Sequence, residues 1–118
     1  MEDILETYHY DVNLISEGTR IEGTLTFDRL TRINGEVEGS IHTLQNVTCI
    51  VGEKGYVKAN IHADKLIVDG FVIGNITAKT MCQINETATV IGEINSPSIQ
   101  IKTGAKFEGK AVTKDVQL

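Results

Sequence analysis

The sequence predicts an all-β fold: a single-domain parallel β-helix, expected to be right-handed, of about six rungs of roughly 17 residues each. Three observations predict it. From Leu66 to Ala78, apolar or small residues fall at Leu66, Val68, Gly70, Val72, Gly74, Ile76 and Ala78, every second position. That is strand periodicity, with one face turned inward. Next, the pattern recurs: Val37-Glu-Gly-Ser-Ile-His-Thr43, Val57-Lys-Ala-Asn-Ile-His-Ala63, Val72-Ile-Gly-Asn-Ile-Thr-Ala78 and Val90-Ile-Gly-Glu-Ile-Asn-Ser96 align without gaps. Last, a repeat this short and wholly strand-like leaves no room for the helical segment that leucine-rich, ankyrin or tetratricopeptide units require.

The alignment extends to weaker copies at Ile21–Phe27 and Phe107–Thr113. Its first column is Ile21, Val37, Val57, Val72, Val90 and Phe107. Its third is Gly23, Gly39, Ala59, Gly74, Gly92 and Gly109, and its fifth Leu25, Ile41, Ile61, Ile76, Ile94 and Ala111. An upstream column runs through Ile15, Ile33, Val51, Val68, Ile84 and Ile101, in steps of 18, 18, 17, 16 and 17 residues. Rungs stacked about 4.8 Å apart place equal columns above one another as ladders, in a coil about 29 Å tall. The right hand follows from the general preference of parallel crossovers.

Residues 1–12 carry no repeat and read as a short tail or cap, in which Ile4, Leu5, Tyr8 and Tyr10 could fold over the first rung. The β-helix runs from 13 to 113 without a linker, and residues 114–118 form a short tail. Within the array, Gly18, Gly55 and Gly104 mark longer corners, while Asn34-Gly35 and Asp69-Gly70 mark corners two residues shorter. Gly70 and Gly74 divide the long stretch around them, since thirteen residues exceed an ordinary strand. The lone Pro97 falls between strands, where a missing N–H does least harm.

Composition narrows the function. A chain of 118 residues is one domain, and 5% aromatic content with no Trp suits a narrow coil filled by Val, Ile, Ala and Gly. The net charge of −5, with no basic run, argues against nucleic acid and anionic lipid as partners. An acidic N-terminus and the lack of an 18-residue apolar run point to a cytoplasmic protein. Cys49 and Cys82 share one inward column with Thr31, Leu66 and Ile99. Leu66 separates them by a rung, so the thiols should stand roughly 9–10 Å apart, beyond disulfide reach. They read as buried free thiols.

Catalytic chemistry finds little support. His42 and His62 share a column, but a catalytic zinc needs a third ligand, and His9 lies outside the array, so no metal and no cofactor are expected. Glu22, Glu38 and Glu108 share an outward column with Lys58, Ile73 and Ile91, which reads as a solvated face. Asn60 and Asn75, between Ser40 and Glu93, suggest a small amide ladder. Ile73 and Ile91 stand on adjacent rungs where charge would be expected, and with Phe71 they form a candidate lateral or partner patch.

The ends carry the strongest functional signal. A β-helix finishes in unpaired strand edges and an exposed core cross-section, which proteins normally blunt with caps, charge or proline. Here two apolar cross-sections of the same repeat geometry remain, with Phe107 in a column otherwise held by Val and Ile. A stacked contact that does not close makes an open polymer. The candidate polymerisation residues are Phe107, Ile15, Ile21, Leu25 and Ala111.

The segments Ser16-Glu-Gly-Thr-Arg-Ile-Glu-Gly23, Arg32-Ile-Asn-Gly-Glu-Val-Glu-Gly-Ser-Ile41, Leu66-Ile-Val-Asp-Gly-Phe-Val-Ile-Gly-Asn-Ile76 and Gly104-Ala-Lys-Phe-Glu-Gly109 resemble bactofilins, over about residues 13–113. The resemblance implies a right-handed β-helix that polymerises head to tail without nucleotide. It further implies a bacterial cytoskeletal scaffold, not an enzyme, serving cell shape, wall-synthesis localisation, motility or chromosome positioning. Phe107 matches the family's terminal core phenylalanine, a contact between subunits. The implied partners are the chain itself, other bactofilin paralogues, and membrane or cell-wall proteins. Many bactofilins carry longer tails and a membrane-binding segment, whereas residues 1–12 here are acidic, so a partner is expected to supply membrane contact. Two other classes stay open. One is a non-polymerising adaptor using the Ile73/Ile91 face. The other is a left-handed hexapeptide-repeat enzyme, for which Leu66, Val72, Ala78, Ile84 and Val90 recur every six residues.

Overall fold

In the computed structural model, which describes residues 12–116, the chain winds into one parallel stack of strands. The first rung holds β1 (Asn13–Ile15) and β2 (Arg20–Phe27), and the second β3 (Thr31–Ile33) and β4 (Glu36–Thr43). β5 (Thr48–Val51) leads into β6 (Tyr56–Val68), a 13-residue strand shared by the third and fourth rungs. β7 (Phe71–Ile73) completes the fourth rung and β8 (Ile76–Ile84) passes from it into the fifth. β9 (Thr89–Ser96) closes the fifth rung, and β10 (Ile99–Ile101) with β11 (Lys106–Thr113) make the sixth. Every described pairing is parallel, and the architecture is a β-solenoid of about six rungs.

The repeat columns are physical ladders. Ile15, Ile33, Val51, Val68, Ile84 and Ile101 pair in turn. So do Ile21, Val37, Val57, Val72, Val90 and Phe107. The third ladder is Leu25, Ile41, Ile61, Ile76, Ile94 and Ala111. On the middle four rungs all twelve of these side chains are buried. Burying a Val or Ile stabilises by about 1.5–3 kcal/mol, so these columns dominate the fold's stability.

Corners set the shape of each rung. Four-residue corners close with a backbone bond from the last residue to the first: Thr19 to Ser16 (3.0 Å), Gly55 to Gly52 (2.8 Å), Ala88 to Asn85 (3.0 Å) and Ala105 to Lys102 (3.1 Å). Asn34-Gly35 and Asp69-Gly70 are the shorter version.

The glycine column behaves differently from its neighbours. Simple alternation would put it in the core, yet Gly39, Gly92 and Gly109 adopt φ of 137°, 140° and 142°. A Cβ on any of them would meet the carbonyl oxygen of the glycine one rung earlier. The strand bends at this column, and both backbone angle and crowding demand glycine. Ala59 is the exception: without a positive φ it buries its methyl in the core, and β6 runs through this position unbroken.

Candidate assembly surfaces

The two ends of the solenoid are built alike. β1 and β2 pair only with β3 and β4, while β10 and β11 pair only with β8 and β9 among the described residues. Each end therefore presents strands with one backbone edge unpaired, the template that recruits another strand.

The core columns emerge at these ends. Ile21 and Leu25 on the first rung, and Phe107 on the last, are half-buried and pack against the core. Ala111 and Ile101 are exposed, the latter 42%. Ile15 is more enclosed, at 8%, and belongs to the core itself, as does Phe27 at 7%. The polymerisation candidates thus lie on the two terminal rungs, with Ile15 the least accessible. The reading of residues 1–11 as a cap falls outside the described residues.

On the outer face, Ile73 and Ile91 pair in register, both half-buried, with Lys58 preceding and Glu108 following them. Phe71 belongs to the neighbouring outward column, where it stacks on Tyr56 at 4.9 Å between ring centroids and 2° between planes. Tyr56, 40% exposed, extends the apolar patch by a member that sequence reasoning missed. The signal was available, since Tyr56 and Phe71 each stand immediately before the first repeat column.

Toward the first rung the same face turns acidic. Arg20 lies 2.5 Å from Glu22, 3.6 Å from Glu36 and 3.1 Å from Glu38. Its guanidinium is held above its usual pKa by the hydrogen bond and charge of Glu22, with smaller help from Glu36 and Glu38. The column Glu22, Glu38, Lys58, Ile73, Ile91, Glu108 is as the repeat implies. The Asn60–Asn75 neighbourhood appears as a bond from the backbone N–H of Asn75 to Asn60 Oδ1, at 3.4 Å.

A second face carries polar groups in a groove of about 360 Å³ lined by His42, Thr43, Leu44, Gln45, His62, Asp64 and Lys79. His42 and His62 stack with centroids 5.1 Å apart and planes 5° from parallel, His42 exposed and His62 half-buried. Among the described residues no three His, Cys, Asp or Glu side chains gather as a metal site. Asp64 is 3% exposed and fully engaged. Its carboxylate accepts the N–H of Asn46 at 2.5 Å and the hydroxyl of Thr80, and its own N–H donates to Thr43 Oγ1 at 3.0 Å. It ties the Leu44–Val47 loop to the stack, a role that its position between Ala63 and Lys65 did not signal.

Cys49 and Cys82 are free and buried, each paired in register with Leu66 between them. Burial pushes both thiols up to about 12. Thiols so poorly ionised are inert as nucleophiles and ligands.

Comparison with known proteins agrees with this geometry. Residues 13–112 match the bactofilin family, described as polymer-forming cytoskeletal. The chain is 33% identical to bactofilin BacP of Myxococcus xanthus over 116 residues, covering 98% of this chain and 48% of that protein. It is 31% identical to bactofilin BacO of the same organism, covering 81% of this chain and 75% of that one. It thus spans about half the length of BacP and three-quarters of BacO. Among solved structures it resembles the cytoskeletal bactofilin BacA, determined by solid-state NMR. The TM-score is 0.76 at 31% identity, over 91% of this chain and 98% of BacA.

Proposed function

Because this chain belongs to the bactofilin family, we propose that it is the subunit of a bacterial cytoskeletal scaffold, assembled by end-to-end stacking of solenoids without nucleotide. One observation carries the reading: among the described residues both terminal rungs leave their strand edges unpaired, while their core columns stand in register with one another through the whole stack. A second copy docked there satisfies backbone groups and buries the half-open side chains together. Repetition of such a contact produces an open filament.

Head-to-tail order continues the inward ladders. Phe107 then stands over Ile21, Ala111 over Leu25 and Thr113 over Phe27, so small side chains face large ones in the last two columns. At the outward positions the same register sets Lys106 beside Arg20 and Glu108 beside Glu22, and like charges directly opposite are destabilising. The core columns favour this order and the outer columns oppose it. On such a filament the outer faces remain free to localise partners, including paralogues and membrane or cell-wall proteins serving cell shape, wall synthesis or motility.

The test is negative-stain electron microscopy of wild type and Phe107→Arg, without nucleotide or metal, with light scattering for mass and circular dichroism for fold. Wild-type filaments are expected. A folded, monomeric Phe107→Arg supports head-to-tail joints, whereas folded dimers of that variant mean that like ends meet. Compact wild-type particles, or filaments undiminished in Phe107→Arg, would overturn the end contact.

A further inference from the structure

The short strands β1, β3, β5 and β10, with the matching ends of β6 and β8, form a face that the end contact leaves uncovered. Two outward columns run along it. One is Leu14, Arg32, Ile50, Ile67, Gln83 and Gln100, paired rung by rung. The other holds Thr48, Lys65 and Met81 in register, and Val12, Leu30 and Ser98 extend it, each one residue ahead of a paired position. The apolar members crowd toward the first rung. Val12 is 45% exposed, Leu14 57% and Leu30 39%, while Ile50 and Ile67 pair half-buried two and three rungs on. Neither column carries a carboxylate among the described residues. Carboxylates at the edges are engaged: Asp28 by Arg29 at 2.9 Å, Asp69 by Asn85 at 2.6 Å, and Asp64 by Asn46 and Thr80. Arg32 shares a polar recess with Glu53, so the cation set among the apolar side chains is Lys65, which makes no ion pair among the described residues.

Residues 1–11 join the described chain at Val12, on the first rung of this face, and they match it in kind. They carry four carboxylates, Glu2, Asp3, Glu6 and Asp11, and four apolar side chains, Ile4, Leu5, Tyr8 and Tyr10. We propose that this face is the docking site of residues 1–11 of the same chain. The apolar side chains cover Leu14, Leu30, Ile50 and Ile67, and a carboxylate meets Lys65. Reach is sufficient. Eleven residues extend up to about 36 Å, and Ile67 lies three spacings, about 14 Å, from the first rung. Attachment at Val12 makes the contact intramolecular, so the high effective concentration lets a small interface hold. The face carrying Tyr56 and Ile73 is disfavoured by charge, since Glu22, Glu36 and Glu38 surround one arginine on its first two rungs. Docking along the face differs from a cap in its consequence. A cap over the first rung would close the strand edges there, whereas this arrangement leaves them open to a second copy and covers an apolar strip.

The experiment is zero-length carbodiimide cross-linking with mass spectrometry, on a mixture of isotope-labelled and unlabelled chains that separates links within one chain from links between chains. Links from Glu2, Asp3 or Glu6 to Lys65 are expected within one chain, well ahead of links to Lys54, Lys58 or Lys102. The first comparison is Ile50→Gln/Ile67→Gln, which continues Gln83 and Gln100 along their own column and so suits the strands. Loss of these two apolar anchors should lower the Lys65 links about tenfold. Ile4→Ser/Leu5→Ser, which leaves the solenoid's sequence untouched, should do the same, and circular dichroism should be unchanged in both. Links that are absent, spread evenly over the other lysines, or undiminished in either variant overturn the docking. Links between differently labelled chains put the segment on a neighbouring copy and overturn it too. Because the expected links form within one chain, they do not depend on filaments, and a failure of the end contact leaves this test intact.

Discussion

Asp64 Oδ2 stands 2.5 Å from the backbone nitrogen of Asn46, a residue one rung earlier with φ of 65°. The other oxygen of the carboxylate accepts the Thr80 hydroxyl one rung later, so a single buried side chain clamps three consecutive rungs. β6 and β8 slip register at this point, between Ala63 and Lys65, and the clamp fills the irregularity.

Asp64→Ala leaves the Asn46 N–H and the Thr80 hydroxyl without their acceptor. Both donors belong to exposed residues that water can reach, so the loss is expected to be the net worth of the two bonds, about 0.5–1.5 kcal/mol each. Asp64→Asn keeps the shape and one acceptor oxygen and should lose less. Urea unfolding of both, in the Phe107→Arg background to limit the contribution of assembly, checks this. Equal losses would show that acceptance by the side chain is not what holds the loop.

The glycines of the third repeat column allow a cleaner separation of strain from overlap. Gly23 and Gly92 share nearly the same φ, 137° and 140°. A Cβ on Gly92 would meet the Gly74 carbonyl, whereas one on Gly23 has nothing within 4 Å. In the Phe107→Arg background, where no second copy covers the first rung, Gly23→Ala should therefore cost only backbone strain, about 1–3 kcal/mol. Gly92→Ala should cost that plus overpacking, about 1–3 kcal/mol more. Unfolding midpoints measured side by side test the difference, and equal losses would mean that the rungs shift to admit the methyl.

Leu66 is the large side chain between the two thiols, fully buried in its column. Leu66→Ala opens a cavity that the neighbouring rungs cannot close without breaking their ladders. A loss of about 2–5 kcal/mol is expected in denaturant unfolding. A loss under 1 kcal/mol would show that the stack compresses along its axis.

Most of this molecule was legible because an in-register parallel stack converts sequence columns directly into spatial ladders. Ile73 beside Ile91, and Leu66 between Cys49 and Cys82, follow from counting alone. Asp64 did not follow, since its burial depends on a loop folding back over it at a place where the repeat slips by one residue. The glycine column was misleading for a related reason. Alternation assigns Gly39 and Gly92 to the core side, but alternation assumes a straight strand, and the chain bends at those residues. The apolar patch was seen without Tyr56, whose ring matters only through the ring stacked on it from the next rung.

The thiols give the pH dependence its sign. Burial raises Cys49 and Cys82 from an ordinary 9.0 to about 12 in the folded protein. Between those values the unfolded chain has lost these protons and the folded one has kept them. Stability held in the buried neutral thiols is thus complete below about pH 9 and declines as pH rises toward 12. The Cys49→Ala/Cys82→Ala variant, although less stable at neutral pH, should show a shallower decline across that window in denaturant unfolding. Native wild type should also resist a thiol reagent at pH 8 and react at both cysteines once unfolded. Rapid labelling of the native protein, or parallel pH profiles for the two proteins, would mean that the interior opens more readily than its packing implies.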